Sequence, residues 1–223
     1  FLLSQEAARL PDADYIVFCG VHFMAETACI LCAPHQKVIL PNITAGCSMA
    51  DMAPMDDVDD SWEDLQEVLG DHGGIVPVTY MNSIASIKAL CGRTGGSVCT
   101  SSNAVEIVES LGAERVIFLP DEFLGRYVAG RTAVEIILWQ GHCEVHERFC
   151  AEELSAYRES YPGIQIFAHP ECPPDVLAEA DYVGSTSGLI RHVEATRPER
   201  VMLVTECSMS DNVAVAHPEV EFI

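Results

Sequence analysis

Nine short apolar, β-rich runs punctuate this sequence, and stretches of helical periodicity lie between them. The runs are YIVFC (15–19), KVILP (37–41), IVPVTY (75–80), SVCT (97–100), RVIFLP (115–120), EIILW (135–139), IQIFA (164–168), DYV (181–183) and RVMLV (200–204). The helical candidates occupy 23–31, 62–69, 84–90, 104–111, 151–159 and 188–195. A strand covered on one face alternates apolar and polar residues, whereas a strand covered on both faces reads as an unbroken apolar run. These runs are of the second kind. A chain that alternates them with helices is confined to parallel sheets flanked by helices, an α/β fold.

Two segments interrupt the rhythm, the acidic stretch over 51–64 and a turn around 141–148. They divide the chain into 1–50, 51–143 and 144–223, and each of the last two is long enough for a small αβα layer. The first is too short for one, and its opening FLLSQEAARL reads as a helix already under way. The expectation is a truncated first module whose natural N-terminus lies upstream.

Charge narrows the function. The chain carries 34 acidic against 12 basic residues, a formal charge of −22. Nucleic-acid binding needs clustered cations, so this balance argues against it. No Lys or Arg separates Lys37 from Lys88, an interval holding nine acids. That interval is read as a solvated face, although the proteome of a salt-loving organism gives the same pattern. Apolar residues make up 49% of the chain and charged ones 21%, enough for a packed core rather than disorder. No run approaches the ~18 apolar residues of a membrane span. Without a visible targeting segment, and with ten cysteines set in apolar stretches, a reducing cytoplasm with some thiols committed to metal is expected. Most of the ten are expected to pack as small buried hydrophobes.

In parallel sheets, chemistry collects where strands end and loops lead into helices. Here nearly every run is followed by polar or ligand-type residues, which points to one polar site fed by several βα units. Cys47 and Cys143 each follow a run, come after a glycine or Gly-His, and precede a helical segment. Thiolates so placed gain from the helix dipole and nearby N–H groups, and single cysteines from separate modules suit an iron–sulfur cluster at a junction. Two buried unliganded thiols are the alternative. Cys29 and Cys32 have C-x2-C spacing but sit in the apolar stretch TACILC, where packing is the expected role. His169 and Glu171 follow IQIFA with one residue between them, so both can face a cleft for acid–base work; a backbone-satisfied His and an Arg-paired Glu is the even alternative. The turn at 184–188, with Ser185, Ser187 and Thr186, has the hydroxyls and helix start that hold phosphate or carboxylate. Residues 100–103, including Ser101, repeat that chemistry or form a plain N-cap. Tyr80 and Asn82 stand where IVPVTY ends.

GVHFMAET (20–27), AGCSMADM (45–52), VTYMNS (78–83), VCTSSNA (98–104), LPDEFLGRYVA (119–129), GHCEVHERF (141–149), HPEC (169–172) and GST (184–186) stand in the order found in quinolinate synthases. The chain resembles that family, the A protein of NAD biosynthesis, over essentially its whole length. The resemblance implies three pseudo-symmetric αβα modules with parallel sheets around a central four-iron four-sulfur cluster, the first module truncated here. Each module gives one cysteine, leaving one iron with an open position. By that resemblance Cys47 and Cys143 are two of the three ligands, and the third lies in a C-terminal motif beyond Ile223. Tyr80, Asn82, Ser101, His169, Glu171, Ser185 and Thr186 match the family's substrate contacts, and Met24 a residue lining the cavity. Glu171, His169 and Tyr80 are implied for proton transfer. The implied reaction condenses iminoaspartate with dihydroxyacetone phosphate to quinolinate, losing phosphate and water, with an L-aspartate oxidase or dehydrogenase supplying the iminoaspartate. The isolated 223 residues are expected to be inactive. The rival readings are a non-catalytic iron–sulfur or redox-sensing protein on the same scaffold, and a cluster-free phosphosugar enzyme.

Overall fold

The computed structural model describes residues 2–70 and 74–223. Phe1, the first residue of the helix expected at the start, lies outside them. In chain order the elements are α1 (Leu2–Ala8), β1 (Tyr15–Val17), α2 (His22–Leu31), β2 (Lys37–Ile39), α3 (Ser48–Asp51), α4 (Met55–Leu69), β3 (Ile75–Tyr80), α5 (Ala85–Arg93), β4 (Ser97–Cys99), α6 (Ala104–Ser110), β5 (Arg115–Leu119), α7 (Glu122–Ala129), β6 (Glu135–Leu138), a 3-10 turn (His146–Arg148), α8 (Ala151–Ser160), β7 (Gln165–Ala168), α9 (Pro174–Glu179), β8 (Tyr182–Val183), α10 (Thr186–Thr196), β9 (Arg200–Val204), α11 (Cys207–Ala216) and β10 (Glu221–Phe222). The fold is α/β, and every strand pairing among the described residues is parallel.

The strands form three sheets, β1-β2, β4-β3-β5-β6 and β10-β9-β7-β8. Unbroken apolar runs follow from cover on both faces. On β5, Val116 and Phe118 pack with Val108 of α6 and Leu124 and Val128 of α7. Its alternate residues Ile117 and Leu119 pack with Val58 and Trp62 of α4 and Ile87 of α5. The third sheet repeats the arrangement: Phe167, Val201 and Leu203 meet α10 and α11 through Leu189, Val193 and Val213. Ile166, Ala168 and Val204 meet α8 and α9 through Leu154 and Val176. The two-stranded sheet is covered on one face only. Ile16 and Val38 pack under Ala7 of α1 and Ala25 and Ala28 of α2, while Tyr15, Val17 and Ile39 are exposed.

Four expectations are corrected. The acidic stretch over 51–64 does not break the βα rhythm, because most of it is the long helix α4. Val58 and Trp62 fix one side of that helix in the core, and Asp56, Asp57, Asp60, Glu63 and Asp64 face solvent. The cysteines are not mostly core: only Cys91, Cys99 and Cys172 are buried, and Cys19, Cys29 and Cys207 are exposed. Cys29 lies on the outer side of α2, so it does not pack as TACILC suggests. Cys143 precedes no α-helix; after it the chain makes the short 3-10 turn that presents His146.

Candidate active site

The carboxyl ends of β3, β4 and β8 open on one cavity of about 710 Å³. At β3, Met81 N–H donates to Cys99 O at 2.8 Å and the Ser83 hydroxyl to Tyr80 O at 2.9 Å, which turns Tyr80 and Asn82 toward the mouth. After β4, Asn103 Oδ1 accepts from the Thr100 N–H at 2.7 Å and from its hydroxyl at 2.8 Å. Asn103 therefore closes its own turn and makes no side-chain cap on α6, leaving Ser101 on the cavity wall. After β8, Ser185 caps α10, its Oγ accepting from Gly188 N–H at 3.2 Å. Tyr80, Asn82, Ser101, Ser185 and Thr186 thus line one space, with Gln5 of α1 on the opposite wall. Met24 is half-buried and packs against the core on both sides of α2; it is not among the residues lining this cavity.

His169 and Glu171 lie deeper, 3% and 4% exposed, closed off rather than facing an open cleft. Tyr80 joins the two regions. Its ring lines the cavity and its hydroxyl meets the Glu171 carboxylate and the Ser101 hydroxyl. Burial, reinforced by the Glu171 charge, pushes the Tyr80 hydroxyl well above its usual pKa, so it is a phenol, a proton donor.

His146, which sequence reasoning passed over, completes the group. Its Nδ1 is 3.1 Å from Glu171 Oε2, an ion pair without hydrogen-bond alignment, and its Nε2 is 3.0 Å from Thr205 Oγ1. The ring stacks on His169 at 4.9 Å. Burial disfavours the imidazolium, but the contacts to Cys143 and Glu171 outweigh it and raise His146 to about 10. For Glu171, burial alone would raise the carboxyl, yet His146, His169 and the Tyr80 hydroxyl hold it well below its usual range. For His169 burial, joined by the nearby His146 charge, outweighs the pull of Glu171 and lowers it to about 4, neutral at physiological pH. One imidazolium, one neutral imidazole and one carboxylate therefore share a buried pocket, their environments driving their pKa values apart.

Cys143 Sγ, a His146 ring nitrogen and a Glu171 oxygen lie within 4.8 Å of one another, a donor set able to hold a metal. Cys47 stands at the N-cap position of α3, half-buried, and its sulfur makes no capping hydrogen bond. Burial raises its thiol, and Cys143 and Glu171 are close enough to add to the effect. Two thiols from different loops thus lie near a buried acid–base cluster, and soft sulfur donors suit an iron–sulfur group.

The sequence profile of the quinolinate synthetase A protein family matches residues 1–223. The chain belongs to the quinolinate synthase family. Quinolinate synthase 2 of Mesorhizobium japonicum is 52% identical over 222 residues, which is 100% of this chain and 65% of that protein. The quinolinate synthase of Agrobacterium fabrum is 50% identical over 221 residues, 99% of this chain and 60% of the relative. That of Xylella fastidiosa is 50% identical over 212 residues, 95% and 59% respectively. The chain therefore spans about three fifths of the length of the quinolinate synthases it matches. Among the described residues no helix is long and apolar enough to cross a membrane.

Proposed function

We propose that the protein takes part in NAD biosynthesis as a quinolinate synthase, condensing iminoaspartate with dihydroxyacetone phosphate in the cytoplasm. The observation that carries this reading is the continuous line of groups from the cavity wall to the thiols: Ser101, Tyr80, Glu171, His146 and Cys143. A non-catalytic iron–sulfur protein has no use for a proton-transfer line ending in a substrate-sized cavity. In this reading the chain forms three αβα modules, 1–50, 51–143 and 144–223, whose loops meet at the site. Cys47 and Cys143 would hold a four-iron four-sulfur cluster, with a third cysteine from the part of the relatives' length that these 223 residues do not span. When bound there, such a cluster would supply Lewis-acid chemistry that eases departure of a substrate hydroxyl as water.

The chain's own residues account for the remaining work. Ser185 and Thr186 hold a phosphate or carboxylate at the N-terminus of α10, an eleven-residue helix whose first residues line the cavity. Asn82 and Ser101 orient the bound molecule. The Glu171 carboxylate, kept ionised by His146, takes a proton at its free lone pairs, and Tyr80 gives one from its phenol. Neutral His169 stands behind Glu171, its Nδ1 accepting from the Glu171 N–H at 3.4 Å, which leaves its Nε2–H as a hydrogen-bond and proton donor. Burial of all three excludes water during the dehydrations.

The test is Glu171→Gln in the protein extended to its relatives' full length and reconstituted anoxically. The variant keeps size and hydrogen bonding but not the proton acceptor. Substrate binding stays within about threefold and turnover falls by roughly 10² or more. Turnover near wild type would remove Glu171 from the chemistry.

A further inference from the structure

We infer that Asp121 is a positioning residue of this centre that fixes the main chain carrying Cys143; the inference rests on reading Cys143 as a cluster ligand. Asp121 follows β5 after Pro120 and is wholly buried. Its Oδ1 accepts from Leu124 N–H at 2.5 Å and caps α7. Its Oδ2 is buried with no hydrogen bond among the described residues. A cap needs only one oxygen, and Ser or Asn serves as well as Asp. Burying a second carboxylate oxygen without a partner costs desolvation that capping does not require. A second role for the carboxyl explains why it is there.

The surroundings identify that role. The main chain of Asp121 pairs with Gly141 in a parallel bridge that continues the β5–β6 ladder. Glu122 N–H donates to Gly141 O at 2.7 Å, so the loop after β6 is tied to the start of α7. The approach is close enough that a Cβ on Gly141 would stand 2.4 Å from the Pro120 carbonyl oxygen. Two residues further on, the Cys143 N–H lies near the Asp121 carboxyl without hydrogen-bonding to Oδ2, and Glu171 and His146 are near enough for their charges to act on it. Asp121 thus stands at the corner where the β5–α7 turn, the Cys143 loop and the acid–base cluster meet. From this corner it sets where the Cys143 sulfur lies relative to His146 and Glu171.

The experiment compares wild type with Asp121→Ser and Asp121→Asn, each at full length and reconstituted anoxically. Both variants keep a capping oxygen for Leu124 N–H. Ser has no second oxygen, and Asn replaces it with an NH2 that opposes the Cys143 N–H. The melting midpoint, iron loss to a ferrous chelator, the electron paramagnetic resonance spectrum of the reduced protein, kcat and KM are measured. With the cap retained, the midpoint stays within about 4 °C. Iron is lost at least roughly tenfold faster, as for other residues that orient metal ligands; the spectrum changes, and kcat falls about tenfold with KM within threefold. Wild-type iron retention, spectrum and kcat in both variants would reduce Asp121 to a helix cap and overturn the inference. A large fall in midpoint in both would do the same, assigning Asp121 to folding. Wild-type protein that takes up no iron would instead overturn the ligand assignment, a failure distinct from that of Asp121.

Discussion

At the scale of single residues, the centre depends on groups whose partners are supplied from distant parts of the chain. Cys47→Ser or Cys143→Ser in the reconstituted full-length protein removes one of few soft ligands, and iron content falls to a small fraction of wild type; a full iron count and unchanged visible spectrum would take that cysteine out of the site. Cys29→Ser, on the outer side of α2, leaves both unchanged. Titration gives a separate check in the metal-free chain. His146 is raised to about 10 by Cys143 and Glu171 against the pull of burial, and burial raises Asp121 to about 8. Both folded pKa values lie above the unfolded ones, so the folded state binds more protons and its stability is lost as pH rises. In the window from pH 6.5 to 8 the two act together. The urea midpoint falls across that window, and less steeply in Asp121→Asn; a flat or rising midpoint contradicts these assignments. Tyr80, Ser101, Ser185 and Glu171 were legible in the sequence because each follows an apolar run, where parallel sheets place chemistry. His146 and Asp121 were not. His146 follows no strand and acts through a 3-10 turn with no periodic signature, and only its place three residues after Cys143 hinted at it. Asp121 looks in sequence like any capping Asp, and its unpaired oxygen exists only in three dimensions.

Individual elements followed hydrophobic patterning where their cover was two-sided. IVPVTY and RVMLV became β3 and β9 without change of bounds because helices cover both of their faces. Elements lacking that signal were missed: β10 is two residues long, and α9 begins at the prolines of HPECPPD, which read as loop. The acidic run hid the first part of α4, over 55–61, since its apolar residues are spread among many charges. This helix separates core from surface within one turn. Trp62→Ala empties a buried site and costs ~3–5 kcal/mol, whereas Asp60→Lys on the solvent side changes stability by no more than ~0.5 kcal/mol. Equal effects in chemical denaturation would contradict the assigned orientation of α4.

Across the whole molecule, the second and third sheets are sandwiched by helices while the two-stranded sheet presents Tyr15, Val17 and Ile39 to solvent. Patterning marked all three βα stretches but not this asymmetry, because YIVFC and KVILP carry apolar side chains on both faces although only one face is covered. The cavity takes its walls from α1, from the ends of β3 and β4 and from α10, so the site exists only when all three sheets are in place. The decisive measurement is quinolinate formation from iminoaspartate and dihydroxyacetone phosphate by the protein at its relatives' full length, reconstituted anoxically with iron and sulfide. The account predicts quinolinate release that ends when Glu171 is replaced by Gln while iron content stays the same. Fully iron-loaded wild-type protein that forms no quinolinate from these two substrates would contradict it.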